Sequence, residues 1–179
     1  MRDISYRVAL GGIVSALCLV SMFLAGVLPA LYLVLPMIAG MLLMIIAAEV
    51  GKRWALMTYI SVSLLSMIIT FDKEAALIFI MLFGHYPILR LYIEKLRSKL
   101  LMLIIKLAVF NVCAVSYFYV TVYIFGIEEM VDEFERFGKY AMAVVLLICN
   151  LIFLMYDFCL RSFYDTYRKR LMHKLKRKK

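Results

Sequence analysis

The feature that most limits how this chain can fold is a stretch of 41 residues, Val8 to Ala48, without a single charged side chain. As one straight helix it would be roughly 60 Å long, about twice the hydrocarbon thickness of a bilayer. The stretch is therefore predicted to turn back on itself, and Pro29 is the natural turning point because proline interrupts a helix. Such a run, in a chain that is 66% apolar, is typical of a protein whose solvent is largely lipid.

The rest of the chain repeats this pattern, with apolar runs separated by short polar turns. Because a spanning helix needs about 20 apolar residues, the pattern predicts an all-α fold, a polytopic transmembrane helical bundle with six spans. The predicted spans lie at about 7–28, 31–49, 54–71, 75–89, 101–125 and 139–161, and a basic cytoplasmic tail follows at 163–179. A further amphipathic helix is predicted from Ile88 to Leu100, at the membrane interface, with Arg90, Glu94 and Arg97 on its polar face.

The orientation of the bundle follows from the placement of its lysines and arginines. With six spans, 18 of the 21 basic residues fall on one side, and Lys73, Arg136 and Lys139 fall on the other. Basic segments are typically cytoplasmic, so both termini are predicted to lie in the cytoplasm. The tail is predicted to rest on anionic lipid of the bilayer rather than on nucleic acid.

No residues have the spacing of a known catalytic site. The histidines are His85 and His173, and neither a phosphate-binding loop nor a pair of intramembrane carboxylates is present. The chain is therefore predicted not to be an enzyme and not to hydrolyse ATP by itself. The cysteines lie in apolar runs without a CxxC pair, so they are predicted to be packing residues, and neither a metal nor a cofactor is expected. They are Cys18, Cys113, Cys149 and Cys159.

Three polar side chains are predicted to lie at one depth near the middle of the membrane. His85 is about ten residues into the fourth span, Asn111 about ten into the fifth and Asn150 about eleven into the sixth. Polar groups at this depth are costly and therefore informative. They are predicted either to bind a substrate or only to join neighbouring helices by hydrogen bonds. Asp157, further along the sixth span, is expected to pair with Arg161 one turn later.

The most distinctive local motif is Gly84-His85-Tyr86-Pro87. Pro87 lacks a backbone donor and Gly84 weakens the helix before it, so carbonyl groups one turn upstream lose their partners. One interpretation is that these carbonyls face a cavity, with His85 and Tyr86 among the substrate-binding residues. The other is a simple kink that leads into the amphipathic helix.

An aromatic and charged mouth is predicted on the side opposite the basic segments. Its aromatic residues are Tyr117, Tyr119, Tyr123 and Tyr140, at the height of the polar turn Asp72–Glu74. Such a mouth would suit a small polar or heteroaromatic ligand, bound by Tyr117 and Asp72; the alternative is an ordinary interfacial aromatic belt. The acidic segment 126–138 is predicted either to cover this mouth as a lid or to lie passively on the membrane surface.

Small residues form a smooth stripe along the first span, which allows another helix to approach closely. The stripe consists of the pairs Gly12/Ala16 and Gly11/Ser15, and its predicted docking residues are Ala9, Gly12, Ser15 and Ala16. It is predicted either to dock another membrane subunit or to pack within the bundle itself.

In size, predicted topology and the opening sequence Arg7-Val-Ala-Leu-Gly-Gly-Ile-Val-Ser-Ala-Leu17, the chain resembles the S-components of energy-coupling factor (ECF) vitamin transporters. The resemblance covers roughly residues 5–162. In that family, small residues at four-residue spacing on the first helix contact a transmembrane coupling subunit, and Gly12 and Ala16 match this spacing. The stretch Phe83-Gly-His-Tyr-Pro-Ile-Leu89 is also similar to small clostridial-type membrane proteins related to S-components.

The resemblance implies a subunit in a bacterial cell membrane that binds a vitamin or metal from outside and works with coupling and ATPase subunits in an ATP-driven importer. The chain departs from the family around Pro29, where the usual gating loop is almost absent. It also lacks a vitamin-specific signature and the His-rich start of the metal-transporting members. An alternative from another class is a non-transporting membrane scaffold, similar in size and topology to the rod-shape protein MreD, which would hold partners on its basic face.

Overall fold

The computed structural model describes the backbone of residues 4–124 and 141–176 and the side chains of residues 4–123 and 143–169. Its α-helices are α1 (Ile4–Val27), α2 (Val34–Glu49), α3 (Lys52–Ile69), α4 (Lys73–Ile78), α5 (Tyr86–Ile93), α6 (Lys99–Tyr119) and α7 (Ala141–Lys176). A 3₁₀ turn at Pro29–Leu31 lies between α1 and α2, and π-helical turns follow α4 at Phe79–Phe83 and α6 at Val120–Ile124. These ranges contain no strand, so the predicted all-α fold class is confirmed.

Four helical stretches are long and apolar enough to cross a membrane. They are Ile4–Val27, Lys73–Ile93, Lys99–Tyr123 and Ala143–Lys169. α2 is also apolar, but its 16 residues make it shorter, roughly 24 Å long. α3 has 18 residues and begins with two basic ones, Lys52 and Arg53. The protein thus has the helices of a membrane protein, and each of the six predicted segments overlaps a helix.

Contacts between helix termini define two ends of the bundle. At one end the rings of Phe23 and Phe71 lie 5.7 Å apart, and we call this the Asp72 end. At the other, the ammonium group of Lys52 donates a hydrogen bond of 2.9 Å to the Leu91 carbonyl, and we call this the Lys52 end. Consecutive long helical stretches therefore run up and down between these two ends.

The buried side chains form two main clusters. The first lies among α1, α2 and α3 and includes Val14, Cys18, Ala39, Leu43, Ala55 and Val62. The second is rich in aromatic rings and lies where α2 and the stretch from α4 to α5 meet α6 and α7. It includes Met44, Phe83, Tyr86, Phe110, Phe153, Tyr156 and Leu160. Phe110 and Phe153 stack with their centroids 4.3 Å apart, which joins α6 directly to α7.

Gly40 allows α2 to approach this aromatic cluster closely. A Cβ atom at position 40 would lie 2.5 Å from the Phe83 carbonyl oxygen and would also collide with the Tyr156 hydroxyl. Because real Cβ contacts are never this short, the packing of α2 on α7 requires glycine here.

The amphipathic helix expected at 88–100 is not present in that form. α5 ends at Ile93, and α6 begins only at Lys99. Arg90, predicted to lie on the polar face of that helix, is 1% exposed. The prediction was wrong because Arg90 has an acidic partner on a distant helix, which a local pattern cannot reveal.

Candidate functional site

A cavity of about 450 Å³ lies at the Asp72 end, between α6, α7 and the start of α4. α6 contributes Phe110, Ala114 and Tyr117, whose spacing places them on one helical face. The polar residues that line it are Glu74 and four tyrosines, Tyr32, Tyr117, Tyr119 and Tyr123. Glu74 is the only charged residue among the described residues that line the cavity. A mostly apolar cavity of this size with a few polar groups is typical of a small-molecule site.

The structure brings the predicted aromatic mouth together in part. Tyr117, Tyr119 and Tyr123 all line the cavity. Tyr117 is buried, whereas Tyr119 and Tyr123 stack at 5.5 Å and stay exposed at its entrance. Tyr140 and the segment 126–138 lie outside the described residues, so the predicted lid remains a prediction.

Asp72 caps the helix beside the cavity and is not part of its lining. Its Oδ1 accepts hydrogen bonds from the backbone N–H groups of Glu74, at 2.9 Å, and Ala75, at 3.3 Å. An aspartate at this position satisfies donors that the first helical turn leaves free. The cap holds Glu74 in the first turn of α4, where Glu74 lines the cavity.

Asn111 and Asn150 meet each other across the interface between α6 and α7. Each carboxamide donates a hydrogen bond of 3.0 Å to the other's oxygen. Each also donates to the carbonyl one turn earlier, Asn111 to Leu107 at 2.8 Å and Asn150 to Leu146 at 2.7 Å. A carboxamide has two N–H donors, so both side chains use all of theirs within the protein. This geometry favours the interhelical-bond interpretation over substrate binding.

His85 does not join the asparagine pair. Its Nε2 lies 3.6 Å from the sulfur of Cys113, and its ring meets the edge of Tyr59 with centroids 6.4 Å apart. His85 does not line the cavity. Of the three polar side chains predicted to lie at one level, the structure therefore brings only two, Asn111 and Asn150, into contact with each other.

Pro87 frees the carbonyl of Phe83, because the missing proline N–H would have been its helical partner. The Tyr156 hydroxyl donates to this carbonyl instead, at 3.3 Å. Tyr156 comes from α7 and is buried, so the replacement donor is supplied from across the aromatic cluster.

A second carbonyl is freed one turn earlier, within the π-helical turn. The N–H of Gly84 bonds the Phe79 carbonyl at 2.6 Å and so leaves the Ile80 carbonyl without its usual partner. The Tyr59 hydroxyl of α3 donates to the Ile80 carbonyl at 2.7 Å. The hydroxyl groups of two tyrosines thus donate hydrogen bonds to the two carbonyls that the kink frees. The structure therefore favours the simple-kink interpretation over the one in which these carbonyls face a cavity.

Sequence reasoning missed a buried cluster of charges that joins α5, α6 and α7 towards the Lys52 end. The Lys106 ammonium lies 2.9 and 2.8 Å from the two carboxylate oxygens of Asp157. Arg90 Nε lies 2.9 Å from the same carboxylate, and the Tyr86 hydroxyl donates to it at 2.5 Å. Arg90 also pairs with Glu94 at 2.5 Å. Two basic and two acidic groups therefore balance one another.

This cluster changes two interpretations. The sequence offered Arg161 as the partner of Asp157, but the structure places Asp157 against groups 51 and 71 residues away in the chain. Tyr86 was predicted to bind substrate, but its hydroxyl group donates a hydrogen bond to Asp157 within this cluster. The signal that pointed to it was a charge inside an apolar run, at Lys106 and again at Asp157, because such charges rarely remain unpaired in a membrane.

The small-residue stripe faces outward from the described part of the bundle. Ala9, Gly12 and Ala16 are exposed, and Ser15 is half-buried. A Cβ at Gly12 would meet nothing within 4 Å. The stripe therefore does not serve close packing between the described helices.

The chain matches no family model, curated protein or solved structure with which it was compared.

Proposed function

We propose that this chain is a six-span membrane protein with both termini in the cytoplasm, and that it captures a small molecule as the substrate-binding subunit of an ATP-driven importer. The observation that carries this proposal is the position of the cavity. It lies at the Asp72 end, opposite the end at which the basic residues concentrate. By the positive-inside rule, the Asp72 end faces the exterior, where an importer meets its substrate.

The heights of the shorter helices support six crossings. α3 begins beside Leu91, near the end of α5, and its other terminus leads directly to Phe71, which contacts Phe23 near the end of α1. α3 therefore covers the same depth as helices that are long enough to span. α2 runs antiparallel to α3, from the turn at Pro29–Leu31 near the Asp72 end to Glu49, just before α3 begins at the Lys52 end.

The burial of two basic residues leaves the charge asymmetry intact. Arg90 and Lys106 are paired within the bundle, so they do not count as loop charges. Of the other 19 basic residues, 16 belong by chain position to the Lys52 end. This split supports the proposed orientation.

The outward face of α1 supports a role as one subunit among several. Small exposed residues on a membrane helix admit a second helix at short distance. Gly12 and Ala16 provide such a surface, which a coupling subunit would occupy.

Native mass spectrometry of the protein, purified gently from its own membranes, tests the capture function. We expect a bound small molecule, co-purifying subunits, or both. Ala114→Phe fills the cavity from one wall, so it should remove the small molecule. Val112→Phe adds the same ring on the lipid-exposed face of the same helix and should leave the molecule bound.

Gly12→Leu separates docking from capture. It should release the coupling subunit and leave the small molecule in place, because position 12 is remote from the cavity. Repeated absence of both molecule and partners from the unmodified protein would refute the importer function.

The scaffold alternative is favoured by a different feature, the length of α7. This helix continues to Lys176, past the end of the apolar stretch, and carries Arg161, Arg168 and Lys169 on the way. If removal of residues 170–179 abolishes partner retention while Ala114→Phe changes nothing, the scaffold function is the correct one.

A further inference from the structure

The polarity of the cavity changes along its length. The cavity follows α6 from Phe110 to Tyr123, which is a distance of roughly 20 Å. Its tyrosines and Glu74 line the part towards the Asp72 end, which we call the mouth. The opposite part, which we call the deep part, is lined by Leu82, Phe83, Phe110, Ala114, Cys149 and Ile152. The walls of the deep part are therefore aliphatic and aromatic, apart from one thiol.

The deep part offers little to a polar ligand group. The nearest carboxamides, Asn111 and Asn150, do not line the cavity and direct their N–H groups to each other and to backbone carbonyls. Among the described side chains that line the deep part, only the Cys149 thiol can form a hydrogen bond, and a thiol is a weak partner. Burying a polar group without a hydrogen bond costs free energy. The portion of a ligand that reaches this depth is therefore apolar.

One side of the cavity is open between α6 and α7. Val115 of α6 and Ile148 of α7 both line the cavity, yet they are 44% and 48% exposed. Both lie within helical stretches that are long and apolar enough to cross a membrane. In a membrane, the exposed sides of these two residues contact lipid. The cavity is therefore accessible sideways, from the hydrocarbon of the bilayer.

We infer that the cavity takes a lipophilic molecule, with one long apolar body and a small polar group at one end, which enters sideways from the outer leaflet. This inference rests on the proposed capture function and narrows its substrate class to molecules dissolved in the membrane. The apolar body fills the deep part, and the polar group stays at the tyrosines of the mouth. A volume of about 450 Å³ is typical of a site for one drug-sized molecule, and it is too small for a whole phospholipid.

A photoreactive fatty alcohol tests this substrate class. The full-length protein is placed in nanodiscs of phosphatidylcholine with hexadecanol that carries a diazirine in its chain. After irradiation, mass spectrometry of peptides locates the labelled residues. We expect labelling of the deep part that saturates and that unlabelled hexadecanol displaces. Labelling that only rises in proportion to the probe, or that is confined to residues outside the cavity, would overturn the inference.

Matched variants test the sideways entry. Val115→Trp and Ile148→Trp place a large ring at the opening, so each should weaken the saturable labelling by about fivefold or more. Val112→Trp and Leu147→Trp add the same ring at positions that do not line the cavity and should leave the labelling unchanged. All four positions are exposed, so the new ring does not disturb the core. Equal labelling in all four variants and the unmodified protein would refute the inference.

A phosphatidylcholine with the same diazirine in one chain distinguishes a free lipophilic molecule from the chain of a bilayer lipid. We expect this lipid to label only residues outside the cavity, in proportion to its amount. Saturable labelling of the deep part by this lipid, weakened by Val115→Trp, would show that the cavity holds bilayer lipid and would overturn the inference.

The failure of this inference differs from failure of the proposed function. A water-soluble molecule found in the cavity by native mass spectrometry would uphold capture and overturn the lipophilic class. Saturable labelling by the fatty alcohol that Val115→Trp weakens would uphold the lipophilic class even if no coupling subunit is ever found.

Discussion

At the scale of single residues, the meaning of a glycine depends on what lies across from it. Gly12 and Gly40 both sit in apolar helices, yet only Gly40 is pressed against a neighbouring carbonyl and hydroxyl. We expect Gly40→Ala to lower the free energy of unfolding by about 1–3 kcal/mol, because the added methyl group forces α2 away from the aromatic cluster. Loss of helical circular dichroism on heating in detergent measures the effect.

Gly12→Ala is the matched control for that substitution. A methyl group at position 12 meets open space, and alanine favours a helix over glycine by about 0.5–1 kcal/mol. The protein should therefore unfold at the same temperature or a higher one. Equal destabilisation by the two substitutions would contradict the close approach at Gly40.

Asp157 is the residue on which two buried cations depend. Asp157→Ala leaves Lys106 without its carboxylate and removes one of the partners of Arg90. Removing one member of a buried ion pair costs about 3–5 kcal/mol, since the remaining charge has no compensation. We expect a correspondingly lower unfolding temperature in the same detergent.

A second substitution distinguishes an unpaired charge from general damage. Combining Asp157→Ala with Lys106→Met removes both charges and should recover part of the lost stability. A double variant as unstable as the sum of the single effects would show that the two side chains do not interact.

At the scale of helices, polar contacts place α6 and α7 against each other and against the rest of the bundle. The Asn111–Asn150 pair closes their interface near its middle, and the cluster around Asp157 closes it towards the Lys52 end. Between the first of these and the Asp72 end, the cavity separates the two helices. The two sets of polar contacts therefore hold α6 and α7 together in the half of the interface that lies away from the Asp72 end.

The asparagine pair gives a prediction at this scale. Asn111→Leu and Asn150→Leu should each cost about 1 kcal/mol, because each leaves the other carboxamide short of a partner. The double substitution should cost less than the sum, and all three variants should retain the small molecule that native mass spectrometry detects. If the single variants abolish binding while the fold is retained, the asparagines contact ligand after all.

At the scale of the whole molecule, the proposed topology predicts which residues are reachable from each side of the cell membrane. In a background with the four native cysteines replaced by alanine, Phe71→Cys and Arg53→Cys place one thiol at each end of α3, both at exposed positions. A membrane-impermeant maleimide should label Phe71→Cys in intact cells and Arg53→Cys only after permeabilisation. Labelling of both thiols in intact cells would mean that α3 does not cross the membrane.

Much of the fold was predictable because apolar length and breakers are local properties. The uncharged stretch around Pro29 predicts a helical hairpin, and α1 and α2 form one with a turn at Pro29–Leu31. The tyrosines of the mouth were also predictable, since helical spacing and depth place Tyr117 and Tyr123 towards one end. The burial of Arg90 was not predictable, because the amphipathic pattern of residues 88–100 is equally compatible with an arginine on a surface helix and with an arginine paired inside the bundle.

The sequence by itself determined that the chain is helical and where most of its helices begin and end. Only the tertiary structure decided which polar groups satisfy one another. Asn111 with Asn150, Tyr156 with the Phe83 carbonyl and Lys106 with Asp157 are all pairs between distant segments. The physical reason is that helix formation depends on neighbours in the chain, whereas a buried polar group is stabilised by whichever partner packing brings within hydrogen-bond distance.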